Sequence, residues 1–241
     1  MRLSTGPIFG SGLALALVAA GAMGCADNES SLFVRQVQAM QPPDCVVTPD
    51  PSAMFMPYGS LDLLIGGDNG YQAALLVGNQ LAQRGSTDQI RTETARVSLR
   101  GAIVRVLDTT GAEVIPSFTV DGSGFVDPGS GNSPGFGLLG TTLIPPGFRE
   151  TSGDYQGWVT VWVKVFGRTL GGKDIESNEL TYPIDICDGC LVNFPSKAVE
   201  LATGNCTHAG VTEYTVPCIP GQDAPVPCTY CMDYLAVCQH P

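Results

Sequence analysis

The sequence predicts an all-β domain followed by a cysteine-stapled C-terminal segment. Three observations carry this. Thirty glycines and 18 prolines punctuate short apolar runs among the 241 residues, as in a sandwich or barrel. Residues 157–187 alternate like the two strands of a hairpin and end in a pair of cysteines. Seven of the nine cysteines lie from Cys187 onward, in a segment with too little apolar volume to fold without staples.

Residues 1–24 read as an export signal. Arg2 opens the segment, and the stretch that follows centres on Leu13, Leu15, Leu17 and Val18. It is too short and too glycine-rich for a membrane span. It ends Ala22-Met23-Gly24-Cys25. That ending resembles the lipobox of bacterial lipoproteins, in which a small residue precedes an invariant cysteine. Gly24 and Cys25 carry the match; Ala22 departs from the leucine usual at that place. The resemblance implies diacylglycerol on the Cys25 sulfur, cleavage before Cys25 and acylation of the new amino terminus. Several acyl chains anchor firmly where one is marginal. The acidic residue is Asp27 and not the residue next to Cys25, which by the same resemblance favours the outer membrane. Cysteine parity agrees, since lipid on Cys25 leaves an even number to pair. The competing reading is an ordinary signal with an incidental cysteine.

Residues 25–31 form a short lipidated tether, and the β-domain is expected over 32–186. Leu32, Phe33, Val34 and Val37 open it, before Pro42-Pro43-Asp44-Cys45. Strands are expected over 60–65, 72–81, 96–107, 113–120 and 137–144. Gly66-Gly67-Asp68-Asn69-Gly70 supplies a turn between the first two. Within 96–107 the apolar parity switches from Val97 and Leu99 to Val104 and Val106. A bulge near Gly101 would keep both sets facing the core. Residues 127–137 read as a flexible loop.

The hairpin rests on side-chain alternation. Residues 157–166 put Val159, Val161, Val163 and Val165 on one face and Trp158, Trp162 and Phe166 on the other. Both faces are largely apolar, so this strand is expected to be covered on both sides or nearly so. Residues 178–186 put Leu180, Tyr182, Ile184 and Ile186 on one face, and Pro183 points to an edge or strand end. The strand count and spacing resemble an immunoglobulin-like β-sandwich in architecture, without its Cys…Trp…Cys signature; a barrel is the alternative. The arrangement also resembles the cysteine-rich lipoproteins that large-genome deltaproteobacteria encode in numbers, a likeness that implies no function.

Residues 187–241 form the cysteine-rich segment, with a short helix expected over 229–238. Thr229 would cap it, and Cys231, Leu235 and Cys238 would share its inner face. Two Cys-x-x-Cys pairs, Cys187/Cys190 and Cys228/Cys231, have zinc spacing. Export instead favours disulfides among Cys45, Cys187, Cys190, Cys206, Cys218, Cys228, Cys231 and Cys238, and no metal or cofactor is expected. Only Cys45 lies outside the C-terminal group, so full pairing requires it to bond into that group. Cys187 or Cys190 is the favoured partner, because they stand where the last strand leaves the domain.

Candidate reactive groups are few in this sequence. His208 and His240 have no evident serine or aspartate companion, and Gly122-Ser123-Gly124 is not a nucleophile elbow. Residues 121–127 faintly resemble a calcium loop but lack its sixth-position glycine and distal glutamate, so a turn is expected. Trp158 and Trp162, about 13 Å apart on one strand face, cannot stack and read as core rather than a carbohydrate platform. Asn205-Cys206-Thr207 matches a glycosylation sequon of little meaning in a bacterial lipoprotein. The net charge of −11 repels nucleic acid. The expectation is therefore a lipid-anchored cell-envelope protein without catalytic residues, a binding or structural module. It meets the membrane through lipid on Cys25 and an envelope protein or glycan elsewhere. The alternative is an extracytoplasmic thiol–disulfide oxidoreductase or chaperone using Cys187 and Cys190.

Overall fold

The computed structural model describes residues 31–66, 69–86, 92–208 and 217–241. The expected export signal, Cys25 with nearly all of the expected tether, and Gly67-Asp68 of the expected turn lie outside the described residues. Among the described residues eleven strands and one short α-helix are formed: β1 (Leu32–Gln38), β2 (Phe55–Met56), β3 (Gly59–Asp62), β4 (Tyr71–Asn79), β5 (Val97–Asp108), β6 (Glu113–Val126), β7 (Gly135–Ile144), α1 (Phe148–Ser152), β8 (Gly157–Thr169), β9 (Asp174–Cys187), β10 (Val192–Asn193) and β11 (Val226–Pro227). Nine strands make one sheet with the path β6-β5-β8-β9-β1-β4-β7, β2 pairing with β1 and β3 with β9. Among the described residues no helix is long and apolar enough to cross a membrane.

The sheet is nearly closed, and glycines make the closure possible. A Cβ on Gly124 would collide with the Leu138 carbonyl, one on Gly137 with the Phe125 carbonyl, and one on Gly122 would stand 2.6 Å from Leu139 Cδ1. The two end strands, β6 and β7, therefore approach backbone to backbone, although no hydrogen-bonded ladder joins them. This corrects the reading of 121–127 as a turn. Those residues continue β6 to Val126, six residues past its expected end.

The core is the inward parity of the strands. Val159, Val161, Val163 and Val165 of β8 pack with Tyr182, Ile184 and Ile186 of β9 and Leu75, Val77, Leu139 and Leu143 of β4 and β7. The register of β5 shifts between Leu99 and Gly101 against both neighbours. Val97, Leu99, Val104 and Val106 are consequently all buried. A side chain at Gly101 would strike the Val120 carbonyl, so the bulge and the glycine belong together.

β8 is covered on one side only. Trp158 is 45% exposed, and Trp162 and Phe166 are half-buried, which overturns the core reading of the tryptophans. Among the described residues no second layer covers their face. The rings are shielded locally instead, Trp158 by Tyr58 at 5.9 Å and Trp162 by the Arg105 guanidinium at 5.3 Å. Pro183 is not on an edge strand, since β9 runs inside the sheet. It does sit in a local gap: β1 pairs with β9 only at Ser177, and β3 begins pairing at Ile184. A residue without an N–H is tolerated there because no neighbour asks for one.

Four disulfides join Cys45–Cys218, Cys187–Cys190, Cys206–Cys228 and Cys231–Cys238. Cys45 thus reaches the C-terminal segment through Cys218, and not through the favoured Cys187 or Cys190, which bond to each other. The expected helix over 229–238 is absent. Only 3₁₀ turns at Cys228–Tyr230 and Ala236–Cys238 form, and Thr229 lies inside the first instead of capping it. Seven helical residues would separate Cys231 and Cys238 by about 10.5 Å. Their Cα atoms are 5.6 Å apart, as a disulfide requires.

Candidate functional site

Three places on the fold combine unusual residues. The first is the outer face of β5, β8 and β9. Strand alternation presents Trp158 and Trp162 outward from β8, and Arg105 pairs with Trp162 across the β5–β8 register. Arg105 also donates to Glu179 of β9 at 2.9 Å. Tyr58, just before β3, is 52% exposed and meets Trp158 edge to face. Tyr155 donates its hydroxyl to the Trp158 carbonyl at 2.9 Å, fixing the chain as it enters β8.

The second place is the end of β9. β3 pairs with β9 in parallel so that Asp62 stands beside Cys187. Asp62 is fully buried between Leu61 and Leu63. Its carboxylate accepts the backbone N–H groups of Leu64 at 2.9 Å, Gly189 at 2.8 Å and Leu191 at 2.9 Å. Burial is tolerable because these donors replace water. An Asp62 oxygen and the sulfurs of Cys187 and Cys190 lie within 4.8 Å of one another. Gly189 turns the intervening loop with φ of 77°. Cys190 is exposed and Cys187 half-buried. Arg149 of α1 donates to Asp188 in the same loop at 2.9 Å, which holds the guanidinium charge more firmly than usual.

The third place lies beneath the Cys45–Cys218 bond. Residues 217–224 lie against β3 and β4 through a polar lock. The Gln72 N–H donates to Gln222 Oε1 at 2.8 Å, and Gln222 Nε2 donates to the Gln72 carbonyl at 2.7 Å. The Asp223 carboxylate accepts the Ser60 N–H at 2.9 Å, Gln222 Nε2 at 3.1 Å and the hydroxyl of the fully buried Tyr71 at 2.9 Å. Tyr71 has one proton and gives it to Asp223, so Tyr182, 2.9 Å away, donates to Tyr71. Asp223 adopts φ of 62°, a left-handed conformation that aspartate tolerates better than most side chains. Burial pushes the Asp223 carboxyl above its ordinary value, with the hydrogen bonds from Ser60, Gln222 and Tyr71 opposing it. Burial and then the Asp223 charge push Tyr71 upward, and burial does the same to Tyr182. A pocket of about 50 Å³ opens beside this lock, lined in part by Gln38, Tyr71, Gln72, Gln222 and Asp223.

Among the residues read from sequence, Cys187 and Cys190 come together with Asp62. Cys228 and Cys231 bond elsewhere, to Cys206 and Cys238, so the two Cys-x-x-Cys pairs do not share one site. His208 faces Asp233 at 3.5 Å, both exposed, and His240 meets Asn205 at 3.1 Å. Asp62, Tyr71 and Asp223 were not anticipated. Tyr71 and Tyr182 carried a usable signal, since a tyrosine at an inward strand position needs a partner for its hydroxyl. The chain matches no family model, and no curated protein or solved structure is significantly similar to it.

Proposed function

We propose that the chain is a lipid-anchored cell-envelope binding module, held to the outer membrane through Cys25 and built on an immunoglobulin-like sandwich. The strand arrangement supports the fold. β1, β4 and β7 correspond to strands A, B and E of such a sandwich, and β9, β8, β5 and β6 to strands G, F, C and C′. The exposed Tyr58–Trp158 pair carries the binding reading, because large aromatic rings left on an open sheet face favour contact with a partner. The partner is an envelope protein or glycan, and the module is not an enzyme.

Both tryptophans of the chain lie on this face, so intrinsic fluorescence reports on it directly. Titration with solubilised envelope glycan, and separately with envelope protein, should shift the emission. The shift should vanish in Tyr58→Ser/Trp158→Ser. No shift with either fraction would overturn the binding reading. Anchoring is tested separately: the full chain should partition into detergent and Cys25→Ser should not. A Cys25→Ser protein as membrane-bound as wild type would overturn the lipid reading.

A second reading, thiol–disulfide chemistry, is favoured by one observation: the Cys187–Cys190 bond closes within a Cys-x-x-Cys loop and Cys190 is exposed. The buried Asp62 carboxylate against both sulfurs opposes it, because its charge disfavours the thiolate that exchange must release.

A further inference from the structure

The pocket beneath the Cys45–Cys218 bond displays unused bonding capacity. Gln38, at the end of β1, is only 2% exposed. Its Nε2 donates to the Asp50 carbonyl at 2.9 Å, but its Oε1 is buried with no hydrogen-bond partner among the described residues. A buried acceptor left unpaired is costly, and a native fold rarely keeps one without an occupant. Gln38 lines the same pocket as Asp223. The Asp223 carboxylate has room for a further donor, since two oxygens together accept from only three groups.

The remaining walls define the occupant. Met40, Met56, Pro42 and Ile219 supply apolar surface, and no lining residue among those described carries a positive charge. The site therefore offers acceptors, one of them a carboxylate, with nothing to neutralise an anion. The chain as a whole is acidic, with a net charge of −11, which raises the local concentration of cations. A volume of about 50 Å³ leaves room for about three or four water-sized groups. That excludes a folded partner or a sugar ring and admits a donor head on a short stem. An ammonium head, with three donors and no acceptor, matches the kind of acceptor this lining offers.

We infer that this pocket binds a primary alkylammonium group, through Gln38 Oε1 and the Asp223 carboxylate, with its methylene stem against Met40, Met56 and Ile219. The site is separate from the outer aromatic face and does not depend on the function proposed for that face. The same chemistry is carried by a free amine and by the side chain of a lysine in a peptide.

The test is calorimetric or NMR titration of the exported, oxidised protein with n-butylammonium, with n-butanol as an uncharged analogue of similar size, and with a blocked lysine amide. Saturable binding of n-butylammonium or the lysine amide, at least about tenfold tighter than n-butanol, is expected. If n-butylammonium alone binds, the source is a free amine; if the lysine amide binds, a peptide side chain is accepted. Asp223→Asn should weaken binding at least about tenfold. Gln38→Leu should weaken it too, and serves as the second variant because it leaves the Gln72–Gln222–Asp223 lock in place. Lack of saturable binding by both amines, equal binding of n-butanol, or binding undiminished in Gln38→Leu and Asp223→Asn would overturn the assignment.

Discussion

Cys45 and Cys218 stand 173 residues apart in sequence and 5.5 Å apart between Cα atoms. The bond between them encloses nearly all of the β-domain and ties its beginning to the segment that carries Gln222 and Asp223. In the chain-entropy model a loop of that length stabilises the fold by about 5 kcal/mol. Cys45→Ser/Cys218→Ser should therefore lower the denaturation midpoint more than any other disulfide replacement. Chemical denaturation of each variant checks this. A Cys231→Ser/Cys238→Ser protein that loses more stability would contradict the ranking, because that bond closes a span of only seven residues.

The seam between β6 and β7 gives a second prediction. Gly124→Val places a branched side chain where the Leu138 carbonyl already stands. The strands must part or shift, at a cost of about 1–3 kcal/mol. Gly111→Ala offers the contrast. Nothing lies within 4 Å of a Cβ there, and its penalty comes from φ of 86° alone. Amide hydrogen exchange should show faster exchange along β6 and β7 in Gly124→Val but not in Gly111→Ala.

Much of this architecture was legible before the structure, and the failures have physical causes. The valines of β8 and the parity switch at Gly101 are local signals, and each was placed correctly because one buried face fixes register. Trp158 and Trp162 misled because apolar residues on a second face do not say whether another layer covers them. The glycines of 121–127 misled in the opposite way. Glycine marks turns, but it also marks the close approach of two backbones, and that approach is a property of strands distant in sequence. The clasp between Cys45 and the C-terminal segment was reachable by counting, whereas its partner Cys218 was not. The helix over 229–238 could have been excluded by geometry once Cys231 and Cys238 were taken as bonded. Asp62 and Asp223 were hidden because their roles depend on amides and hydroxyls brought from more than 100 residues away.

The Cys187–Cys190 bond offers a test between the proposed binding module and the competing oxidoreductase reading. It closes a loop with only two residues between the cysteines, so its chain-entropy contribution is about 2 kcal/mol. Cys187→Ser/Cys190→Ser should fold and keep the other three bonds. The wild-type protein should neither reduce nor isomerise a model disulfide substrate, since the thiolate would form against Asp62. Turnover that disappears in Cys187→Ser would transfer the function to this loop. In that case Asp62→Asn, which removes the opposing charge, should raise the rate.

Asp223 sets a pH dependence whose sign follows from its surroundings. Burial raises its folded-state pKa above the ordinary 3.8, although hydrogen bonds from Ser60, Gln222 and Tyr71 act against the rise. In the unfolded chain the carboxyl titrates at its ordinary value. Between these two values the folded protein holds the proton and the unfolded chain releases it. Its contribution to stability is therefore fully present below the unfolded pKa and is lost as pH rises through the folded pKa. Asp50 and Asp108 act in the opposite direction. The hydroxyls of Ser52 and Thr110 hold them below 3.8, so what they contribute is lost on acidification. The informative quantity is thus the difference between wild type and Asp223→Asn, in which the exposed carboxylates cancel. Asparagine keeps an oxygen for Ser60 and Tyr71 but turns an amide toward Gln222 Nε2, itself a donor held by the Gln72 carbonyl. Two facing donors cost about 1–3 kcal/mol, so the variant starts less stable at low pH. As pH rises above 3.8 wild type should lose stability relative to the variant, and the gap should narrow and then level off once Asp223 is ionised in both states. Urea unfolding at a series of pH values measures the gap, and a gap constant from pH 3 to pH 8 would mean that Asp223 titrates alike in the folded and unfolded chain.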